Sequence, residues 1–445
     1  MYLLYSVSLC VYCIALLPLI GYRSLWQGKS IGRLPDRFGR LPAAVNPAHQ
    51  RSVWVHAVSV GEVLAAKPLL SRLRSIYPNH RLLVSTTTAT GQAVARQFGA
   101  SVDATFYAPL DLSSFVARTL DRVKPELLVL IDTELWPNLL RACQRRGVKT
   151  ALVNGRISDQ SYRGYRLVRR FMRRVLDDVD RMCAQNLSWS KRLLALGASP
   201  DRVRVTGSLK FDAVSPGGAD LHVGDRVLQY FEFVGERPVI VAASTMRGEE
   251  PPLLRAFGKL RRVHPDAVLI IAPRHPERFD EAREIALDHG CRVVRRTELS
   301  PEAAPSAEVV ILDTIGELAR LFQLATVVFV GGSLVPRGGH NLLEPAVFGK
   351  AIIFGPHMEN FAEIAETFIA RGGALQLGSD AELAGVFETL VADPVRRASL
   401  GAAAQALVEA NRGALGRSLD ALAEVLPPGS ASRQTTARSI RVVSS

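Results

Sequence analysis

The sequence predicts an α/β protein that contains two doubly wound parallel β-sheets, each in a domain of its own. Short runs of apolar and β-branched residues alternate with helical stretches along the chain. Continuous apolar runs separated by helices are typical of parallel strands that are buried on both faces. The runs fall into two series, and each series is long enough for a separate sheet.

The two series of strands lie on either side of a stretch with Pro216, Gly217 and Gly218, which is typical of a linker. The predicted strands are residues 52–59, 81–88, 104–109, 126–134, 150–155 and 202–207, and then 238–245, 267–274, 307–314, 326–333 and 351–356. We expect an N-terminal domain over residues 23–212 and a C-terminal domain over residues 213–426. The last helix could also pack on the N-terminal domain. Residues 427–445 are polar and predict a disordered tail.

The composition indicates a folded protein that binds an anionic partner. Of the 445 residues, 48% are apolar and 22% are charged, as in ordinary globular proteins. The 55 Lys and Arg residues exceed the 42 Asp and Glu residues by 13. Such an excess favours nucleic acid, a phosphate-rich ligand or an anionic membrane surface as the partner. Five scattered cysteines fit a reducing compartment.

The N-terminus predicts a membrane anchor over residues 1–22. This stretch carries no charge, and Arg23 is the first charged residue. About 20 apolar residues in a helix reach ~30 Å, the thickness of a bilayer core. A span, a shallow or interfacial insertion and an ordinary buried helix all remain open. Nine basic residues between Arg23 and Arg74, against Asp36 and Glu62, favour the cytoplasmic side for the body of the protein.

Polar residues cluster where the predicted strands end. The clusters are His56 to Glu62, Thr86 to Gly91, Asp132 to Asn138, Asn154 to Arg156, Gly207 to Lys210, Ser244 to Glu250, Arg274 to Arg278 and Gly331 to Glu344. In doubly wound folds, ligands bind at the carboxyl ends of the strands. We therefore expect two ligand-binding edges that face each other across a cleft.

The segment VGGSLVPRGGHNLLEPA (330–346) predicts a nucleotide site. Gly331, Gly332 and Ser333 end a strand, and a second glycine pair leads into a helix. Glycines let backbone N–H groups approach a phosphate, and a helix N-terminus favours anions. Glu344 could accept two ribose hydroxyls, or it could form a capping box with Asn341. The pattern matches neither a Walker loop nor G-x-G-x-x-G, which argues against ATP hydrolysis and NAD binding.

Two further segments supply cations. Arg274, His275 and Arg278 follow a strong strand, where a guanidinium can bind a phosphate in a bidentate manner, unless they are ordinary loop charges. Lys210 lies near the predicted hinge, where it could neutralise an anion or simply be solvated.

Three carboxylates are candidates for catalysis. Glu62 follows a strand at a Gly61 turn and is either a general base or a residue that stabilises a helix N-terminus. Asp132 and Glu134 alternate at a strand end and would point the same way. They could bind a divalent metal ion or orient catalytic groups, although no third metal ligand is evident.

The stretch YRGYRLVRRFMRRVL (162–176) predicts a basic amphipathic helix. Its arginines are Arg166, Arg169, Arg170, Arg173 and Arg174, and its apolar face comprises Tyr165, Val168, Phe171, Met172 and Val175. This pattern suits an anionic membrane or an acidic ligand. Because no recognised nucleic-acid-binding module is present, we expect no nucleic-acid partner.

Six motifs, in order and at matching spacing, resemble the 3-deoxy-D-manno-octulosonic acid (Kdo) transferases of Gram-negative bacteria. They are HAVSVGE, TELWPN, TGSLKFD, APRHPERF, DTIGEL and GGSLVPRGGHNLLEPA, and the likeness runs to about residue 425. The resemblance implies a GT-B fold with an N-terminal acceptor domain and a C-terminal domain that binds CMP-Kdo. It also implies transfer of Kdo to the lipid A precursor, with inversion, at the cytoplasmic face of the bacterial inner membrane.

The resemblance also implies the roles of individual residues. The family's general base falls on Glu62, and its two transition-state-stabilising positions fall on Asp132 and Lys210. Its CMP contacts fall on Arg274, His275, Ile315, Gly316, Glu317, Asn341, Leu342, Leu343 and Glu344. The family usually reads E-x-E-L-W-P, so Asp132 is one methylene shorter than the usual side chain. No cofactor and no metal ion are expected, since CMP-Kdo is a substrate.

Two alternative functions remain open at this stage. One is a GT-B enzyme that uses a different nucleotide sugar, such as a sugar-nucleotide epimerase. The other is a non-catalytic protein that binds membrane surfaces, which would not need Glu62.

Overall fold

The computed structural model describes residues 1–27, 33–214, 237–299 and 307–428, and for residues 16–27 it describes the backbone alone. The predicted linker at 216–218 and residues 429–445 of the predicted tail lie outside the described residues.

The chain forms two compact units. The first unit comprises Met1–Ala213 and the segment that begins at Arg412, and the second comprises Val214–Asn411. The division between them lies one residue from the predicted boundary at 212/213. The second unit ends at Asn411 rather than at residue 426, because the last helix packs on the first unit. There the Asp212 carboxylate accepts hydrogen bonds from the N–H groups of Gly413 (2.8 Å) and Leu415 (2.7 Å).

The first unit contains a parallel seven-stranded sheet. Its strands are β1 (Ser52–His56), β2 (Arg81–Thr86), β3 (Ala104–Tyr107), β4 (Pro125–Ile131), β5 (Lys149–Gly155), β6 (Arg181–Ala184) and β7 (Val203–Val205), in the spatial order β3-β2-β1-β4-β5-β6-β7. Its helices are α1 (Tyr2–Gln27), α2 (Leu34–Arg37), α3 (Val60–Ile76), α4 (Ala89–Arg96), α5 (Ser113–Val123), α6 (Pro137–Arg145), α7 (Asp159–Leu167), α8 (Arg169–Asp177), α9 (Leu187–Leu196) and α10 (Leu209–Asp212).

The second unit repeats this architecture with its own parallel seven-stranded sheet. Its strands are β8 (Val239–Thr245), β9 (Val268–Pro273), β10 (Val293–Arg295), β11 (Val309–Ile311), β12 (Val327–Val330), β13 (Ala351–Phe354) and β14 (Leu375–Gln376), in the order β10-β11-β9-β8-β12-β13-β14. The remaining helices are α11 (Glu250–Val263), α12 (Phe279–Asp288), α13 (Leu318–Leu321), α14 (Leu343–Val347), α15 (Ala362–Ala370), α16 (Leu383–Ala392), α17 (Pro394–Asn411) and α18 (Ala414–Val425), the last of which belongs to the first unit.

The two predicted sheets are confirmed, and each of the eleven predicted runs overlaps an observed strand. The sequence missed β6, β10 and β14. These strands have four, three and two residues, and β10 and β14 are only partly buried. A short, half-exposed strand lacks the continuous apolar run that marks a strand buried on both faces.

Each sheet has a point at which the strand order reverses. In the first sheet this point lies between β1 and β4, and in the second it lies between β8 and β12. Ligand crevices of doubly wound sheets form at the carboxyl ends of the strands beside such a point. The segments that follow β1, β4, β8 and β12 are therefore expected to form the ligand sites.

The N-terminal helix α1 is tied to the first unit through polar groups on its first turns. The Tyr2 hydroxyl donates to Asp178 (2.7 Å), and the Tyr5 hydroxyl donates to Asp111 (3.0 Å). Asp111 also accepts the N–H of Leu139 (2.8 Å) in the first turn of α6. Over the described part of the chain, no helix is both long enough and apolar enough to cross a membrane.

The predicted basic helix over 162–176 is two helices. Val168, with φ −113° and ψ 31°, separates α7 from α8. On α8 the arginines are exposed and Met172 and Val175 are buried, as predicted for that part. Val168 and its neighbour Leu167 are exposed, although the periodicity placed Val168 on the apolar face. The break in the helix causes this difference because it interrupts the periodicity of the faces.

Candidate active site

Glu62 lies in the first turn of α3, directly after β1, at the reversal point of the first sheet. One carboxylate oxygen accepts the N–H of Val58 (2.7 Å), and the other accepts the hydroxyl of Ser59 (2.8 Å). Burial raises the pKa of Glu62 to about 7, and the two donors oppose this shift. The negative charges of Asp132 and Glu134 raise it further. A carboxylate with a pKa near 7 can accept a proton at physiological pH.

Asp132 follows β4 on the neighbouring strand and is almost fully buried. Its φ of +62° turns the chain out of the strand direction, so β4 ends at Ile131 and not at residue 134. The predicted alternation of Asp132 and Glu134 along a strand is therefore wrong. Arg156 forms an ion pair with Asp132 at 3.3 Å. Burial nevertheless raises the pKa of Asp132 above its ordinary value, against the effect of Arg156 and Lys210.

Glu134 belongs to the same group of acids, because its charge and that of Asp132 both act on Glu62. Its carboxylate accepts the indole N–H of Trp136 at 2.8 Å. Burial raises the pKa of Glu134, and Asp132 adds to the shift. Among the described residues, no group of three His, Cys, Asp or Glu side chains is arranged as metal ligands.

At the carboxyl end of β1, next to Glu62, several buried polar side chains contact one another. The hydroxyl of Ser85 contacts the His56 ring (Nδ1, 2.8 Å) and accepts the indole N–H of Trp54 (2.7 Å). The Trp136 ring packs edge-on against His56, with 4.7 Å between ring centroids. Burial lowers the pKa of His56 to about 3, so this ring is neutral. His56 thus connects Ser85 with Trp136 without contributing a charge.

Lys210 lies in α10, and its positive charge favours ionisation of Asp132. The side chain of Asn154 connects these two parts of the site, because it contacts Asp132 and the first residue of α10, Leu209. The structure therefore brings together the predicted residues Glu62, Asp132 and Lys210.

In the second unit, the loop after β12 does not offer the free N–H groups that the sequence predicted. The buried carboxylate of Glu249 accepts the N–H groups of Gly332 (2.7 Å), Ser333 (3.0 Å) and Leu334 (2.9 Å). It also accepts the N–H of Met246 (2.8 Å). The prediction that this glycine turn binds a phosphate is wrong for these residues, because a side chain of the protein already occupies the anion position.

Arg278 is also part of the interior. Its guanidinium donates to both carboxylate oxygens of Glu250 (2.9 and 3.0 Å), and both residues are buried. The Thr245 hydroxyl donates to the same carboxylate at 2.8 Å. The sequence left open whether Arg278 binds a phosphate or is an ordinary loop charge, and in the structure it is neither, because it forms this buried ion pair.

Arg274 and His275 follow β9 and are exposed. Arg274 lies close enough to Glu344 to favour its ionised form, and both Arg274 and His275 disfavour protonation of His340. Burial lowers the pKa of His340 to about 4. Arg274 and His275 thus lie near the neutral imidazole of His340, which follows the second glycine pair, and Arg274 also lies near Glu344 at the start of α14.

Asn341 and Glu344 are hydrogen bonded to each other, through the amide and one carboxylate oxygen at 3.1 Å. Asn341 also accepts the N–H of Leu343 at 3.1 Å. The side chains of Leu342 and Leu343 are buried, so these two residues can offer a ligand their backbone only. Burial raises the pKa of Glu344.

The loop of residues 314–317 exposes an apolar side chain at its tip. Ile315 is 84% exposed, and Gly316 has φ +94°. Glu317 is fixed beneath it, because it accepts two hydrogen bonds from Arg296 (2.7 and 3.1 Å) and one from the hydroxyl of Thr314 (2.9 Å). The Glu317 side chain thus stiffens the loop, and Ile315 is the part that can cover an aromatic ligand.

Sequence reasoning missed Ser59, Asn154, Arg156 and Glu249 as site residues. Ser59 lies within a quoted motif, and the other three belong to the polar clusters at strand ends. A polar residue at a strand end was therefore the available signal, but nothing in the sequence specified its partner.

Comparison with known proteins gives relatives over nearly the whole chain. The profile of a family described as 3-deoxy-D-manno-octulosonic-acid transferase (kdotransferase) matches residues 32–213. A protein of Haemophilus influenzae named 3-deoxy-D-manno-octulosonic acid transferase is 34% identical over 432 residues, covering 95% of this chain and 98% of that protein. A protein of the same name from Bordetella pertussis is 37% identical over 432 residues, covering 94% and 99%.

A comparison of structures bears on the fold. The crystal structure of UDP-GlcNAc 2-epimerase from Neisseria meningitidis bound to UDP-GlcNAc matches with a TM-score of 0.54 over 84% of this chain and 100% of that chain. The sequence identity is 15%, so the likeness concerns the fold alone. Two parallel-sheet α/β domains are consistent with the GT-B fold that the sequence predicted.

Proposed function

The chain belongs to the 3-deoxy-D-manno-octulosonic acid (Kdo) transferase family, and from this premise we propose that it transfers Kdo from CMP-Kdo to the lipid A precursor with inversion at the anomeric carbon. Membership makes the protein a glycosyltransferase of lipopolysaccharide biosynthesis. What we propose beyond family membership is that CMP-Kdo is the donor, that the lipid A precursor is the acceptor, and that the transfer inverts the anomeric carbon.

The observation that carries the proposal is the state of Glu62. This carboxylate follows β1 at the reversal point of its sheet, is held by two donors, and has a pKa raised to about 7 by burial. Transfer to a sugar hydroxyl needs a group that accepts a proton as the oxygen attacks, and such a base works best with a pKa near the working pH. Neither a surface-binding protein nor a structural cap would need this shift.

The proposed reaction is one displacement. Glu62 takes the proton of the acceptor's primary hydroxyl while that oxygen forms a bond to the anomeric carbon of Kdo. The bond between this carbon and the phosphate oxygen of CMP breaks, and its electron pair leaves with the phosphate. Asp132 and Lys210 would stabilise the charge that develops around the reacting carbon.

The second unit supplies the proposed donor contacts. Arg274 offers an exposed guanidinium beside Glu344 and the neutral His340, which suits a phosphate next to ribose hydroxyls. His275 is exposed beside it, and Ile315 offers an apolar surface for the cytosine ring. Asn341 would act through its link to Glu344. No cofactor or metal ion enters this scheme, since CMP-Kdo brings its own leaving group.

We also propose that the protein works at the cytoplasmic face of the inner membrane and touches it through α1 and α8. The face of α1 opposite Tyr2 and Tyr5 is exposed and apolar, and it comprises Leu3, Leu4, Val7, Val11 and Ile14. Tyr2 packs edge-on against Phe171 of α8 at 5.3 Å, so α1 lies beside the helix that carries the exposed arginines. An apolar strip next to arginines suits an interface with anionic lipids.

The proposed reaction can be tested by product analysis. Purified protein is incubated with CMP-Kdo and the bis-phosphorylated acylated disaccharide, and the lipid is analysed by mass spectrometry. We expect one or more Kdo units on the acceptor, with CMP released in equal amount. CMP-Kdo left intact, together with conversion of a different nucleotide sugar, would overturn the proposal in favour of another GT-B enzyme.

A further inference from the structure

We propose that Asn154 is a positioning residue for the transfer reaction, because its single side-chain amide fixes both Asp132 and the helix that carries Lys210. Its Nδ2–H donates to Asp132 Oδ1, and its Oδ1 accepts the N–H of Leu209 at 2.9 Å. This inference rests on the proposed function, in which Asp132 and Lys210 stabilise the transition state.

The local fold explains why Asn154 reaches Asp132. Ile131, the last residue of β4, pairs with Val153 of β5, so the residues that follow this pair are Asp132 and Asn154. Both have left-handed backbones, with φ +62° and φ +61°. The pairing of β5 with β6 also shifts between Leu152 and Gly155, where β5 has one extra residue. Such bulges redirect a side chain and occur next to active sites.

The amide is oriented by its partners. The Leu209 N–H can only donate, so it must face the carbonyl oxygen of Asn154, and the NH2 group is left for the Asp132 carboxylate. The backbone oxygen of Asn154 also accepts from the side chain of Gln185 at 2.7 Å. Asn154 is fully buried, and its three contacts leave it little freedom.

Few side chains could replace this one. Asparagine tolerates positive φ better than most residues. Aspartate would keep the shape and the acceptor for Leu209, but it would lose the donor and add a second carboxylate against Asp132. Glycine would keep the backbone conformation and remove both hydrogen bonds. These two substitutions therefore separate the amide from the backbone at residue 154.

The test is steady-state kinetics of full-length Asn154→Gly and Asn154→Asp with CMP-Kdo and the lipid A precursor. A hydrogen bond to a charged group contributes roughly 1.5–3 kcal/mol, so we expect kcat to fall roughly 10- to 100-fold, and further for Asn154→Asp. The KM for CMP-Kdo should stay within about twofold of wild type, because no donor contact changes. Thermal unfolding of each variant verifies that it is folded at the assay temperature.

Asn46→Ala is the matched control for loss of a buried asparagine. Asn46 is also fully buried in the first unit, where its amide donates to the backbone oxygens of Gln50 (2.7 Å) and Val123 (3.1 Å). Its removal should lower the unfolding temperature and leave kcat unchanged. An equal loss of kcat in this variant would assign the effect of Asn154 to general destabilisation and overturn the inference.

A double-mutant cycle distinguishes positioning from a purely structural role. If Asn154 acts through Asp132, Asn154→Gly should cost less than about threefold in kcat once Asp132→Asn is present. Losses that multiply independently would contradict the inference, and so would an unchanged kcat in both Asn154 variants. A wild-type protein that transfers no Kdo from CMP-Kdo would instead overturn the proposed function itself.

Discussion

Ser59→Ala tests whether the proton affinity of Glu62 controls the reaction. The Ser59 hydroxyl donates to Glu62 at 2.8 Å and favours the ionised carboxylate. If this hydrogen bond favours the carboxylate over the acid by about 1 kcal/mol, its loss raises the pKa by about 0.7 units. Starting from about 7, the pKa of Glu62 would rise to a value near 7.7.

The sign and size of the effect on rate follow from the ionised fraction. A general base works only when it is deprotonated, so activity falls as pH drops below its pKa. At pH 6 the ionised fraction would fall from about 9% to about 2%, which is a loss of about fivefold in kcat/KM. At pH 9 both proteins would be almost fully ionised, and their rates would differ little.

The assay is the initial rate of Kdo transfer between pH 5.5 and 9, at subsaturating substrate. Ser75→Ala is the control, because this exposed serine lies on the same helix α3 and its hydroxyl donates to the backbone of Ser71 (3.3 Å). We expect its acid limb to match that of wild type. An acid limb that does not move in Ser59→Ala, or a rate loss of equal size at pH 6 and pH 9, would refute the reasoning.

Three other substitutions test separate parts of the account. Asp132→Asn should lower kcat by roughly 10²–10³-fold with little change in affinity for CMP-Kdo. Wild-type turnover should resist EDTA. A loss of activity with EDTA that a divalent ion restores would contradict the metal-free scheme. Glu249→Gln should destabilise the second unit by about 3 kcal/mol, measured by thermal unfolding, because an NH2 group would face buried N–H donors; an unchanged unfolding temperature would contradict the anion role of Glu249. Leu4→Glu on α1 should lower the affinity of the protein for anionic vesicles, measured by co-sedimentation, by about tenfold or more. Val263→Glu, at an exposed apolar site on α11, should leave this affinity unchanged.

The fold could be predicted where apolar runs were continuous. Strands such as β9 and β12 are buried along their full length, so their sequences show no polar interruption. The three-residue β10 is half-exposed along its whole length and, among the described strands, pairs only with β11. Its formation depends on a neighbour that the local sequence does not specify.

The site could be predicted as a set of candidates but not as a set of partners. Glu62, Asp132 and Lys210 follow different strands, and only the strand order of the first sheet brings them together. The clearest wrong prediction is phosphate binding by the glycine turn, because Glu249 accepts the N–H groups of that turn. This acid comes more than 80 residues before Gly332, and it reaches the turn because β8 pairs with β12.

The role of Arg278 could not be decided from the sequence for the same reason. The sequence shows an arginine after a strand, which fits a phosphate ligand as well as an internal ion pair. Its partner Glu250 is on α11, which follows the neighbouring strand β8. A motif gives the chemical type of a side chain, whereas the tertiary fold determines whether a ligand or another residue uses it.

The central claim, that Glu62 is the base in Kdo transfer, is tested most directly by Glu62→Gln. The amide keeps the size of the side chain but cannot accept the proton. In a single-turnover assay with CMP-Kdo and the lipid A precursor, followed by mass spectrometry, we predict a rate roughly 10²–10⁴-fold below wild type. Binding of CMP-Kdo, measured by calorimetry, should be almost unchanged. Transfer by this variant at nearly the wild-type rate would contradict the account.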